Sequence, residues 1–163
     1  MTRPAAPLPP SDAGLHELIE SAGLYFDRSG LPATCGRILG HLLCCQPAVQ
    51  SATELARALE TTSGSISTNA LLLEAGELIE RVPVRGRRGV FYRVAPGAFS
   101  RLLVAKMDTI GDFRAILQQG LAAMGGANPG ETARLRDALE LYDFLEDEFP
   151  RLMERFEEQR RGS

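Results

Sequence analysis

With 163 residues, 44% of them apolar, the chain is long enough to bury a core and too hydrophobic for a disordered chain. Its formal charge of −3 is mildly acidic, so any positive patch is a local feature. No apolar run reaches the roughly 18 residues of a membrane span. "MTRPAAPLPP" lacks the apolar stretch of a signal peptide, so residues 1–10 read as a flexible tail and the protein as cytoplasmic. The odd set Cys35, Cys44 and Cys45 fits reduced thiols better than a disulfide framework.

In chain order, Ser11–Asp12 can cap a helix in which Leu15, Leu18, Ile19, Ala22, Tyr25 and Phe26 recur at helical spacing. "RSGLP" interrupts it. Pro32 suits the first turn of a second helix, with Ile38, Leu39, Leu42 and Leu43 on one face, and "CCQPAVQ" ends it. Ser51 to Glu54 matches a capping box and opens a short helix whose Leu55, Ala56 and Leu59 face inward. A further helix spans Ser63 to Ala75, with Ile66, Ala70, Leu71 and Leu73 as its apolar positions. Gly76 is expected to stop it with a left-handed cap.

The period then changes. "LIERVPV" and "GVFYRV" are short, β-branched and aromatic, and "VRGRRG" supplies the turn of a small hairpin. Five arginines and no acid fall between Arg81 and Val94. Beyond Pro96–Gly97, Phe99, Leu103, Met107, Ile110, Phe113, Leu117, Leu121 and Met124 step by three or four. "GGANPG" breaks the pattern, and Leu135, Leu139, Tyr142, Leu145, Phe149, Leu152 and Phe156 repeat it. Pro150 is expected to kink or restart this last helix. Two long helices joined by a short turn form an antiparallel hairpin. Their apolar stripes exceed what the amino-terminal unit can cover. Dimerisation is therefore expected through Phe99, Leu103, Ile110, Leu117, Tyr142, Leu145, Phe149 and Leu152.

Short helix, tight turn, second helix and hairpin is the order of a winged helix-turn-helix. A helix fits the major groove and presents its early side chains to base edges. Thr62, Ser63, Ser65, Ser67, Thr68 and Asn69 can donate to phosphate or bases there. Arg85, Arg87 and Arg88 at the hairpin tip would reach the neighbouring backbone or minor groove, with Gly86 and Gly89 allowing the turn. The candidate reading helix holds no basic residue, so bidentate arginine–guanine readout is closed to it. Specificity then falls to Ser, Thr and Asn contacts, to the wing, or to DNA shape.

The run "SGSISTNALLLEAGELIERVPVRGRRGVFYRV" resembles the recognition helix and wing of the MarR superfamily, nearest its GbsR-type branch of glycine-betaine regulators. The resemblance puts Ser63, Ser67 and Asn69 on the reading helix, and Leu73, Glu74, Leu78, Ile79, Arg81 and Val82 on its exit and first wing strand. Gly86, Arg87, Phe91 and Tyr92 fall on the wing. It departs where that pattern has glycine directly before the Leu-Val/Ile pair, because Glu77 stands between Gly76 and Leu78. The resemblance implies a winged domain flanked by dimerising helices.

The expected architecture is mainly α with a small β-hairpin wing: residues 11–95 a winged helix-turn-helix DNA-binding domain, residues 96–163 a helical dimerisation region. The expected function is a homodimeric repressor that binds double-stranded DNA at an inverted repeat. An unidentified small-molecule effector would sit between the winged unit and the long helices. The rival is a winged-helix module that docks protein partners through its acidic helices, without specific DNA binding; the bland reading of the arginine ribbon is a solvated hairpin salt-bridged to those helices. His41 near Cys44 and Cys45 raises metal or redox sensing, but Cys is commonly a small buried hydrophobe. Phe91, Tyr92, Phe99, Tyr25 and Phe26 could cage a quaternary ammonium ion, although their spacing is that of a core. With no phosphate loop, zinc hydrolase spacing or nucleophile elbow, neither an enzyme nor a cofactor is expected.

Overall fold

The computed structural model describes residues 12–125 and 128–162. The expected tail, the Ser11 cap and the middle of the GGANPG break (126–127) lie outside the described residues. The chain divides into two compact units, one ending at Ala98 and the other beginning at Phe99.

The first unit holds α1 (Asp12–Arg28), α2 (Ala33–Cys44), β1 (Gln50–Ser51), α3 (Ala52–Ala58), α4 (Ser63–Ala75), β2 (Ile79–Val82) and β3 (Phe91–Val94). Glycine sets how closely α1 and α2 approach. A Cβ on Gly36 would lie 2.1 Å from the Ala22 carbonyl oxygen, and one on Gly40 would lie 3.3 Å from Ile19 Cα. Ile38, Leu39 and Leu42 of α2 join Leu55, Leu59, Ile66, Ala70 and Leu73 in one core. Leu18 and Tyr25, expected inward, are instead 45% and 54% exposed.

The capping box at Ser51 is formed. The Glu54 N–H donates to Ser51 Oγ at 3.2 Å, and the Ser51 N–H donates to Glu54 Oε2 at 2.7 Å. Downstream, α4 packs on α2 and α3. The sheet has three antiparallel strands in the order β1-β3-β2. The hairpin strand β3 is central because Gln50, read from sequence in the segment that ends α2, and Ser51, read as the cap of α3, pair with Tyr92 and Phe91. Neighbouring strand residues point to opposite faces, so burial of both Phe91 and Tyr92 means that β3 is covered on both sides. This is a winged helix-turn-helix, mainly α with a small sheet.

The helix exits differ from expectation. Gly76 has φ −84 and is not left-handed; Glu77, with φ +53, is. The Leu78 N–H donates to the Leu73 carbonyl and the Glu77 N–H to the Glu74 carbonyl, which makes a Schellman motif with glutamate in the position that favours glycine. The Leu78 N–H bond to the Leu73 carbonyl, with both side chains buried, sets the motif one position later than Gly76.

Glu60 repeats this device after α3, with φ +51, the Thr61 N–H donating to the Ala56 carbonyl and the Glu60 N–H to the Arg57 carbonyl. A left-handed L-residue costs about 1–2 kcal/mol, whereas glycine gives back about 0.4–1 kcal/mol through the unfolded chain. Exposed Glu60 also puts negative charge at the negative end of α3. Glu60→Gly is therefore expected to raise stability by about 0.5–1 kcal/mol in a urea titration. A lowered midpoint would show that the left-handed strain is smaller than the lost chain stiffness.

The second unit consists of α5, which begins at the unit boundary (Ala98–Ala123), and α6 (Pro129–Gly162). α6 opens with Pro129 in its first turn and a reciprocal cap between Asn128 and Glu131, at 3.1 and 3.2 Å. It continues through Pro150 without restarting. The two helices are tied by Phe113 and Tyr142, whose ring centroids are 5.5 Å apart, and by Arg114, which reaches Asp143 and Glu146. Of the expected dimerisation residues, Phe99, Leu103 and Leu152 are exposed, Ile110, Tyr142, Leu145 and Phe149 are half-buried, and Leu117 is buried. A single chain already covers Leu117, which makes it a core residue of this unit and leaves little of it to offer a partner. Ile116, Leu141 and Phe144, absent from that expectation, are more than half exposed.

Candidate nucleic-acid interface

Inward burial of Ile66, Ala70 and Leu73 turns the opposite face of α4 to solvent. Thr62 is the N-cap, its hydroxyl accepting from the Ser65 N–H at 3.1 Å. Ser63, Ser67 and Thr68 are exposed, and the Ser67 hydroxyl donates to the Ser63 carbonyl at 2.9 Å. Ser65 is half-buried. Leu71, expected at an apolar inward position, is 56% exposed on the same side as Thr68.

Asn69 does not present a free amide. It is half-buried; its Nδ2 donates to the Ser65 carbonyl at 2.8 Å, and its Oδ1 accepts from the Cys35 thiol on α2 at 3.4 Å. The reason is position. Asn69 lies one residue before buried Ala70, on the flank of α4 that meets α2, so its side chain closes that seam. It positions the helix where a base reader had been expected.

The wing loop runs over residues 83–90, with Gly86 at φ +77 and Gly89 at φ +117, conformations that side chains disfavour. Its arginines are unequal. Arg87 turns back onto the protein, its Nη2 donating to Glu54 Oε1 at 2.7 Å and its guanidinium lying 4.6 Å from the centre of the Phe91 ring. On the strands, Arg81 pairs with Glu74 at 2.7 Å and Arg93 with its cross-strand neighbour Glu80 at 2.6 Å. Arg85 and Arg88 are exposed and have no carboxylate partner among the described residues. These ion pairs lie within the first unit, so their partners are not the acidic helices of the second.

Glu54 joins two parts of the site. The Ser51 N–H foremost, and then the Arg87 guanidinium, hold its carboxyl down to about 2. A carboxylate with a lowered folded-state pKa stabilises the fold above its unfolded pKa. That contribution fades as pH falls towards the folded value. Glu54→Gln keeps the cap geometry and loses the charge. Its stability deficit relative to wild type is therefore expected at pH 7 and should shrink as pH falls from about 4.5 towards about 2. Denaturant midpoints at several pH values check this, and a deficit constant with pH would remove the charge from the account.

Ser51, Thr53, Glu54, Arg57, Arg87 and Arg88 line much of a polar hollow of about 440 Å³ between α3 and the wing. Arg57 was absent from the sequence reading because only the fold brings α3 beside a loop some thirty residues later.

Cys35 is fully buried, and burial raises its thiol pKa and lowers that of His41. The Cys44 thiol donates to the Gly40 carbonyl and the Cys45 thiol to the Pro47 carbonyl. Among the described residues no group of three His, Cys, Asp or Glu could hold a metal ion. Phe26, Phe91 and Tyr92 are core residues, and the cations over the last two rings are the chain's own Arg87 and Arg81. No helix among the described residues is long and apolar enough to cross a membrane.

A family model described as an MmpR5-like MarR family transcriptional regulator matches residues 97–159. The HTH-type transcriptional regulator MmpR5 of Mycobacterium tuberculosis (strain ATCC 25618 / H37Rv) is 36% identical over 137 residues, which cover 84% of this chain and 83% of that protein. The crystal structure of a transcriptional regulator aligns with a TM-score of 0.66 and 35% identity, covering 88% of this chain and 98% of the other. The matched model is the MmpR5-like one, whereas the wing motif by itself resembled the GbsR-type branch.

Proposed function

Because the chain belongs to the MmpR5-like MarR family of transcriptional regulators, we propose that it is a repressor that binds an inverted-repeat operator as a homodimer. Its class is that of a DNA-binding transcription regulator. The observation that carries the proposal is the pairing, in one compact unit, of a hydroxyl-rich helix whose one acid is held by Arg81 with a wing whose Arg85 and Arg88 are exposed and uncommitted. The helix suits the major groove, and the two arginines suit phosphate or the minor groove.

Dimerisation is supported by the apolar side chains that the second unit leaves exposed, Leu103, Ile116, Leu141 and Phe144 among them. Two reading helices in successive major grooves call for half-site centres about 34–36 Å apart. A repressor of this kind would act in the cytoplasm, by binding DNA and not by catalysis. A small-molecule effector has a candidate seat within the second unit, a cleft of about 550 Å³ lined in part by Met107, Ile110, Arg114, Tyr142, Phe149 and Met153.

The test is selection of the purified protein against a pool of random duplexes, with the enriched sequences re-measured at two salt concentrations. An enriched inverted repeat bound by two chains supports the proposal. Weak binding without enrichment, abolished by salt, overturns it.

A further inference from the structure

The outward face of α4 carries a feature that hydroxyl and phosphate contacts leave unused. At about 3.6 residues per turn, Gly64, Thr68, Leu71 and Ala75 fall on one line, opposite the buried line of Ile66, Ala70 and Leu73. Leu71 is 56% exposed near the middle of that outward line, and Leu72 beside it is 45% exposed. Neither terminal turn of the helix holds a basic residue, and none occurs between them. The one acid on the helix, Glu74, is held by Arg81 at 2.7 Å, so it does not stand free to accept from a cytosine amino group.

What remains on the face is methyl and methylene surface flanked by Ser67 and Thr68. In the major groove only thymine presents an apolar group, its 5-methyl, at the position where other bases present donors, acceptors or hydrogen. An exposed leucine on a reading helix is complementary to that group and to no other feature of a base edge. We infer that Leu71 reads thymine 5-methyl groups, so that each operator half-site holds thymine where the middle of α4 crosses it. This rests on the DNA-binding reading above and deepens it. Thr68, one turn before Leu71 and with its side chain exposed, serves the adjoining base edge.

The test replaces thymine by deoxyuridine, which removes the methyl alone, at each position of the enriched duplex. Wild-type protein is expected to lose roughly fourfold in affinity at one or two positions per half-site, the worth of burying one methyl. Leu71→Ala, whose fold should be intact because the side chain is exposed, is expected to bind the thymine and deoxyuridine duplexes equally at those positions. Leu71→Met should restore part of the discrimination. Equal wild-type binding of all the substituted duplexes overturns the inference and leaves DNA binding standing. Equal sensitivity in wild type and Leu71→Ala overturns the assignment to Leu71. If no sequence is enriched at all, the functional proposal falls and takes this inference with it.

Discussion

Gly36→Ala is expected to destabilise the first unit by about 3 kcal/mol, at the upper end of overpacking costs. Helix propensity alone says the opposite, since alanine in a helix interior is worth about 1 kcal/mol more than glycine. Geometry decides the sign. The added Cβ would lie 2.1 Å from the Ala22 carbonyl oxygen, 2.6 Å from the Ala22 carbonyl carbon and 2.8 Å from Gly23 Cα. All three are backbone atoms of α1, and no rotamer change can clear them. The helices must separate by more than an ångström to reach ordinary contact, which loosens Ile19 and Phe26 of α1 and Ile38, Leu39 and Leu42 of α2. Gly111→Ala is the control. An added Cβ there meets nothing within 4 Å, so propensity acts alone and a gain of up to about 1 kcal/mol is expected. Urea midpoints of the two variants should move in opposite directions. A Gly36→Ala midpoint at or above wild type would show that α1 and α2 are not held at this distance.

That contact marks the limit of what the sequence made legible. Hydrophobic period located the helices, and the Ser51–Glu54 spacing located a cap, because both signals are local. The glycine groove on α2 is not local. Gly36 and Gly40 appear in the sequence as gaps in an apolar pattern, and only α1 lying against them explains their absence of side chain. The two-residue strand β1 has no period at all and exists only as a partner of β3. Glu77 shows the same limit at a turn. A glycine one residue away looked like the left-handed position, but burial of Leu78 and its N–H bond to the Leu73 carbonyl set the register and put glutamate there.

The candidate site was legible as a segment and not as individual side chains. Asn69 and Leu71 are two residues apart on the same helix, and each side chain lies where the other was expected. The amide is drawn inward to Ser65 and Cys35, while the leucine faces out. Polarity predicts exposure only where no buried partner competes for the polar group, and Cys35 is such a partner, 34 residues earlier in the chain.

The same reasoning sorts the wing arginines, and it sets the second large effect. Replacing Arg85 and Arg88 together by alanine is expected to weaken binding to every duplex roughly a hundredfold. Each lost charge-assisted contact costs about 1.5 kcal/mol, close to a factor of ten. The slope of log affinity against log salt should fall by about 1.8, because each phosphate contact contributes about 0.9. Arg87→Gln should behave differently. Its guanidinium is already committed to Glu54 at 2.7 Å and to the Phe91 ring, so its loss frees the wing tip from α3 and removes little of the charge offered to phosphate. Affinity is then expected to drop by several fold with the salt slope nearly unchanged. Titrations of all three proteins against one duplex at several salt concentrations separate the roles. If Arg87→Gln lowers the slope by a full contact while the double variant leaves it intact, the wing meets DNA through the arginine that the free protein keeps folded back, and Glu54 must release it on binding.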